Sequence, residues 1–216
     1  MLNTLRKTYH WIKKFLQWQR FVFSHYNKSV PVYAKTAGEG IKLHIGAGEV
    51  NVQGWVNVDG RKFEHTHFVS DGFDLKEFSD NSIEEIYLCH VLEHFSFQDG
   101  ENLLKYFRTK IMVGGVLRIS VPNFDALVTA YKANGDDVES IKSALMGGQN
   151  YDYNYHKAIF NKKSLALMLK QCEFSEAIEW KTEEDFGIGL GDWSNGTIST
   201  PDNKIPISLN LKAIKV

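Results

Sequence analysis

An α/β architecture, a mostly parallel sheet with helices on both faces, follows from three features of this 216-residue chain. Short apolar runs ending in glycine, aspartate or proline recur along it, and helical periodicities fill the intervals between them. Two neighbouring runs also end in residues suited to a ligand, HIGAG at 44–48 and VNVD at 56–59.

IKLHIG (41–46) and GWVNVD (54–59) read as two short buried strands, and IEEIYLCHVL (83–92) opens with a third. GGVLRISVP (114–122) reads as a fourth, announced by Gly114-Gly115 and stopped by Pro122. In ENLLKYFRTKIMV (101–113), Leu103, Leu104, Phe107, Ile111 and Met112 recur at helical spacing. Helices are also expected over 124–134, 138–146 and 161–172, and a strand over 176–181. The C-terminal PISLNLKAI alternates Ile207, Leu209, Leu211 and Ala213 with Ser208, Asn210 and Lys212, the pattern of a strand at or near a sheet edge. GGQNYDYNYHK (147–157) is too polar for a core and too aromatic for a flexible linker, and resembles a binding loop.

Residues 1–40 read as a separate segment ahead of a domain over 41–216. The net charge is -1, yet residues 1–35 carry seven Lys/Arg and no Asp/Glu. Between Leu2 and Tyr26 there is no Gly or Pro, and Leu5, Ile12, Phe15, Trp18 and Val22 share one helical side opposite Arg6, Lys7, Lys13 and Lys14. This predicts an N-terminal amphipathic helix with a basic back, followed by a linker over 29–40. Three roles stay open: docking on the core or another subunit, contact of residues 2–26 with a membrane surface, and a nucleic-acid arm. The broad aromatic arc ranks nucleic acid last. Two cysteines, Cys89 and Cys172, suggest a reducing compartment. No apolar run approaches the roughly 20 residues of a membrane span, and no signal-peptide pattern is visible. The expected address is the cytoplasm, with the inner face of a membrane as an extension of it.

Glycines after a strand let the backbone turn sharply and let a ligand lie against main-chain N–H groups, and a strand-end carboxylate suits a ribose diol. Asp59 follows Gly46 by only thirteen residues, whereas a dinucleotide fingerprint spends roughly 20 and a whole helix on that interval. EVNVQ (49–53) cannot hold that helix, which excludes an ordinary NAD site. The helix must be omitted or supplied from elsewhere, and the N-terminal segment is the candidate to pack there.

Three more elements follow in order: Asp74-Leu75, a strand, then His90 to His94. With this ordered set, the chain over about residues 41–180 resembles the class I S-adenosylmethionine-dependent methyltransferases, most closely the type 11 group. The resemblance implies a Rossmann-like seven-stranded sheet whose last strand is antiparallel, and S-adenosylmethionine as cofactor. It implies that Gly46, Ala47 and Gly48 meet the methionine portion, that Asp59 accepts from the ribose hydroxyls, that Asp74 and Leu75 meet the adenine, and that His90 and Val91 line the sulfonium side. The turn departs from the family in lacking a third glycine and in having Leu43-His44 where an acidic residue is common.

The group's frequency in surface-polysaccharide biosynthesis and lipid-linked sugar pathways points to a glycan or small-molecule acceptor methylated on a hydroxyl. A hydroxyl must lose a proton, and His94 and His156 are the candidate bases, with structural hydrogen-bonding roles open for both. Asn123 and Asp125 are candidate acceptor contacts. A non-catalytic binding protein on the same fold is one alternative. Another is a zinc peptidase, because HVLEH (90–94) matches H-x-x-E-H, with His90 and His94 as ligands and Glu93 activating water. That chemistry needs a helix from His90 onward, where the preceding EEIYLC reads as strand. His65 and His67 have no partner spacing, and no metal is expected.

Overall fold

The computed structural model describes residues 40–52, 54–186 and 190–216. The apolar runs pair into β1 (Ile41–Ile45), β2 (Val56–Asp59), β3 (Phe68–Val69), β4 (Ile83–Cys89), β5 (Ile111–Pro122), β6 (Ile178–Glu179) and, after a separate hairpin of β7 (Thr197–Ser199) and β8 (Lys204–Pro206), β9 (Ser208–Ile214). The seven-stranded sheet has the order β3-β2-β1-β4-β5-β9-β6. β1 to β5 run parallel to one another, and β9 runs antiparallel to both β5 and β6. Five helices accompany it among the described residues: α1 (Phe97–Lys110), α2 (Phe124–Ala133), α3 (Lys142–Met146), α4 (Lys162–Gln171) and α5 (Thr182–Phe186).

Alternation along each strand separates two faces. On the first, Leu43, Ile45, Ile86, Leu88, Leu117 and Ile119 pack with Leu103, Leu104 and Phe107 of α1 and Leu165 and Leu169 of α4. Each such side chain contributes about 1.5–3 kcal/mol on burial. The second face is polar beneath an aromatic cover. Asn57, His44, Tyr87 and Arg118 stand side by side across β2, β1, β4 and β5. Arg118 donates to Glu85 at 2.7 Å and to Asp185 at 2.8 Å, and its guanidinium lies 5.0 Å from the rings of both Trp180 and Phe186. Tyr87 donates its hydroxyl proton to Asp192 at 2.6 Å and meets Trp55, Trp180 and Phe186 edge-on or tilted. Phe186 belongs to α5, so this face too carries a helix.

The elements differ from their sequence limits for local reasons. α1 starts at Phe97 because the Ser96 hydroxyl accepts from the Asp99 N–H at 3.2 Å, and Ile111 and Met112 belong to β5. The helix expected over 138–146 divides into a 3-10 turn, Val138–Ser140, and α3. β3, α5 and the β7–β8 hairpin have no counterpart in the sequence reading; Ile198 and Ile205 of the hairpin pack against the cluster of Leu127, Ala130 and Ile141. Between Gly46 and Val56 the described residues form turns, Val50 N–H to Ala47 and Trp55 N–H to Val52, and Val52 and Trp55 are buried on the second face. The missing crossover helix is thus omitted at this point of the chain. The helix expected over residues 2–26 and its packing lie outside the described residues. No helix among the described residues is long and apolar enough to cross a membrane.

His44 is 1% exposed and stacks on Tyr87 with ring centroids 5.0 Å apart. Burial lowers its pKa from 6.5 to about 4, against the opposing pull of Asp192 and Asn57. As pH falls, the unfolded chain therefore takes up this proton first. The stability contributed by a neutral His44 is complete above about pH 6.5 and is lost towards pH 4, by up to about 3 kcal/mol. The urea midpoint of the wild type should fall more steeply between pH 6.5 and 4 than that of His44→Gln; parallel profiles would contradict this.

Candidate functional site

Parallel strands end at one edge, and the ends of β1, β2 and β4 open there into a single cavity. Leaving β1, the chain turns through Gly46 (φ 67) and Gly48 (φ 54). The N–H groups of Gly46 and Ala47 donate to the Val58 carbonyl at 2.7 and 3.2 Å, fastening the turn to β2. A Cβ on Gly46 would stand 2.2 Å from Val91 Cγ2, so this position has no room for a side chain. At Gly48 only the left-handed backbone demands glycine, since the nearest atom to an added Cβ is 4.0 Å away. The Asp59 carboxylate accepts from the Gly48 N–H through Oδ2 and from the Arg61 N–H through Oδ1, both at 2.7 Å. His65 and His67 brace the same corner: His65 Nε2 bonds the Gly48 carbonyl at 3.0 Å, and His67 Nδ1 accepts from the Asn57 N–H at 2.8 Å.

β4 leaves the sheet at His90, whose φ of 53 swings the chain into a 3-10 turn, Leu92–His94. The turn buries Leu92 and Glu93 and sets His90, Val91 and His94 on the cavity wall. His90 Nδ1 lies 3.2 Å from Glu93 Oε1, and His156 Nε2 lies 3.9 Å from the same oxygen. Burial acts to raise the Glu93 carboxyl, but His90, His94 and His156 outweigh it and hold its pKa below the ordinary carboxylate value. Burial lowers the pKa of His156, with Glu93 opposing. The rings of His94 and His156 meet edge to face at 5.0 Å.

The loop over 147–157 closes the cavity. Gly147 (φ 79) lies so close to the returning chain that a Cβ would stand 2.4 Å from the Asn154 carbonyl oxygen. Bonds from the Gln149 N–H to Asn154 and from the His156 N–H to Met146 hold the loop, and the Glu93 carbonyl accepts from Lys157 and Ala158 at 2.7 and 3.1 Å. Tyr151, Tyr153 and Tyr155 thereby reach the cavity. The Arg61 guanidinium, from the other wall, lies 4.4 Å from the Tyr151 ring and 4.9 Å from Phe63. Burial and then the Asp71 carboxylate raise the pKa of Tyr153.

No model of a known protein family matches this chain, and no curated protein does. Solved structures match over most of it. One is a SAM-dependent methyltransferase from Thermotoga maritima, with 14% identity, a TM-score of 0.52, and coverage of 96% of this chain and 99% of that one. Another is from Archaeoglobus fulgidus, with 15% identity, a TM-score of 0.51, and coverage of 82% and 87%. A third is the Burkholderia thailandensis 1,6-didemethyltoxoflavin-N1-methyltransferase with bound 1,6-didemethyltoxoflavin and S-adenosylhomocysteine, with 16% identity, a TM-score of 0.51, and coverage of 82% and 71%. The fold is that of the class I S-adenosylmethionine-dependent methyltransferases.

Within this methyltransferase fold, Gly46, Gly48, Asp59, His90, Val91 and His94 share the one cavity, and Ala47 is buried beneath the turn. Asp74 and Leu75 do not line it. The Asp74 carboxylate accepts from the Tyr106 hydroxyl at 3.2 Å, and Leu75, 1% exposed, joins the core. Asp71, Gly72 and Phe73 line the cavity in their place. His156 sits behind His94, against Glu93. Asn123 caps α2, Asp125 accepts from Asn161 at 3.4 Å, and neither reaches the cavity. HVLEH is a strand exit and a single 3-10 turn, so the helical H-x-x-E-H arrangement of a zinc peptidase is not formed. Arg61, Asp71, Phe73 and Lys157 line the cavity with no individual signal in the sequence; for the tyrosines, their spacing in YDYNY was the visible sign.

Gly46→Ala combines a left-handed φ with a clash against Val91 and should cost roughly 2–4 kcal/mol in urea unfolding, against about 1–2 for Gly48→Ala. Val91→Ala should recover part of the loss in Gly46→Ala and nothing in Gly48→Ala. Equal costs for the two glycines would rule out the close approach as the cause.

Proposed function

We propose that this chain moves a methyl group from S-adenosylmethionine to a hydroxyl of a sugar or lipid-linked sugar. The observation that carries the reading is the cavity where a glycine turn without side chains, the Asp59 carboxylate and the β4 exit meet. The residues present suit the cofactor. Gly46 and Gly48 leave bare main chain for the methionine portion. The Asp59 carboxylate has about four acceptor sites, two of them filled by N–H groups, and keeps capacity for the ribose hydroxyls. Phe73 and Val91 supply apolar wall, and Asp71 to Phe73 take the adenine role that the sequence had given to Asp74 and Leu75.

S-adenosylmethionine bound there supplies an electrophilic methyl group, whose transfer needs in-line placement of a nucleophile. The chain's own part is to hold the acceptor and accept its proton. Tyr151, Tyr153 and Tyr155 offer flat faces for the C–H groups of a sugar ring, beside the polar Asp71 and Lys157. His94 gives its Nδ1 proton to the Tyr155 carbonyl at 3.3 Å. That bond selects the tautomer with a lone pair on Nε2, which takes the hydroxyl proton as the new carbon–oxygen bond forms. The basic, aromatic pattern of residues 2–26 suits an acceptor presented at a membrane.

Asp59→Ala should weaken S-adenosylmethionine binding at least about tenfold by calorimetry, the value of hydrogen bonds to a charged group, with the circular dichroism spectrum unchanged. Undiminished binding would overturn the assignment. The full chain should float with liposomes containing anionic lipid at low salt and detach at high salt; failure to float at low salt removes the membrane-presented acceptor.

A further inference from the structure

Behind His94, a buried anion stands among imidazole rings without a donor. Glu93 is 1% exposed, and neither carboxylate oxygen has a hydrogen-bond partner among the described residues. His90 Nδ1 approaches Oε1 to 3.2 Å, but off a hydrogen-bonding line. Ligand atoms of Glu93, His94 and His156 all lie within 4.8 Å of one another.

Proton positions sharpen the problem. Ser208 donates its hydroxyl proton to the Trp193 carbonyl at 2.5 Å, so its contact with His90 Nε2 at 2.9 Å requires the proton on Nε2. A neutral His90 then turns the lone pair of Nδ1 towards the Glu93 carboxylate. His94 commits its Nδ1 proton to Tyr155. Lone pairs and a buried carboxylate gathered in this way call for a cation, either a proton on His90 or a metal ion.

We infer that Glu93, His94 and His156 bind a divalent transition-metal ion at the acceptor end of the cavity, with His90 beside it. Two imidazoles and one carboxylate suit zinc, iron, manganese or cobalt better than the all-oxygen preferences of magnesium or calcium. Ligand atoms placed tetrahedrally about 2.0–2.1 Å from zinc stand roughly 3.4 Å apart, so small rotamer changes would gather this set. The Tyr155 carbonyl orients the His94 ring, as backbone carbonyls orient metal-binding histidines generally. The purpose of the site rests on the methyltransferase reading. Because His94 lines the cavity, a cation there would bind the acceptor's hydroxyl and raise its acidity, so that the hydroxyl proton passes to solvent water and not to His94.

The test uses the full chain, stripped with a chelator and titrated with cobalt(II) and zinc(II). One equivalent of cobalt should bind with visible ligand-field absorbance and be displaced by zinc, and the thermal midpoint should rise with zinc. His94→Ala and His156→Ala should each weaken cobalt binding at least about 100-fold, while in His156→Ala, whose ring does not line the cavity, the S-adenosylmethionine affinity by calorimetry stays within about threefold. No saturable equivalent in the wild type, or unchanged cobalt affinity in both variants, overturns the site. Metal binding without any binding of S-adenosylmethionine would instead sink the methyltransferase reading and keep the metal site.

Discussion

Two N–H groups donating to one carbonyl, Gly46 and Ala47 to Val58, hold the working edge of this molecule together. They tie the turn after β1 directly to β2, so no helix is needed to bring Asp59 back beside the glycines. The Gly48 N–H then bonds the Asp59 carboxylate, and the His65 ring takes the Gly48 carbonyl. The same turn has to pass against Val91 at the exit of β4, which is why its first glycine admits no methyl group. Three strand ends are thereby locked at one point, and the cavity is the space left over them.

The second face of the sheet shows how the short link is accommodated. A full crossover helix would lay apolar side chains over β1 and β2. Here Val52 and Trp55 descend from the link itself and meet Tyr87, Trp180 and Phe186, which arrive from β4 and from the chain around α5. Under this cover the sheet carries polar groups, and each needs an internal partner. Arg118 finds two carboxylates and two aromatic faces; Tyr87 finds Asp192. Burial keeps the Tyr87 phenol and the Cys89 thiol protonated, so His44 is the group of this layer that acid would charge.

Glu93 joins the two halves of the cavity. Its carbonyl accepts from the loop at Lys157 and Ala158, and its carboxylate faces histidines from both β4's exit and that loop. One buried side chain therefore has His90 on one side of it and His94 and His156 on the other.

Local patterns carried much of this into the sequence. The alternation of β9, the apolar runs of β1, β2, β4 and β5, and the spacing from Gly46 to Asp59 are properties of a few adjacent residues, and backbone geometry translates them directly into strands and a turn. The order of Gly-x-Gly, Asp59, Asp74-Leu75 and the His90 segment suggests the fold. Asp74 and Leu75 stand outside the cavity that Asp71, Gly72 and Phe73 line, and the left-handed backbone of Gly72 and Phe73 is a reversal that no pattern announced. The stack of Arg61 on Tyr151 and the grouping of Glu93 with His156 depend on segments far apart in the chain, while β3, α5 and the strands of the β7–β8 hairpin are too short to display a period. Periodicity describes how a residue faces its neighbours in sequence; only packing decides which distant side chain it meets.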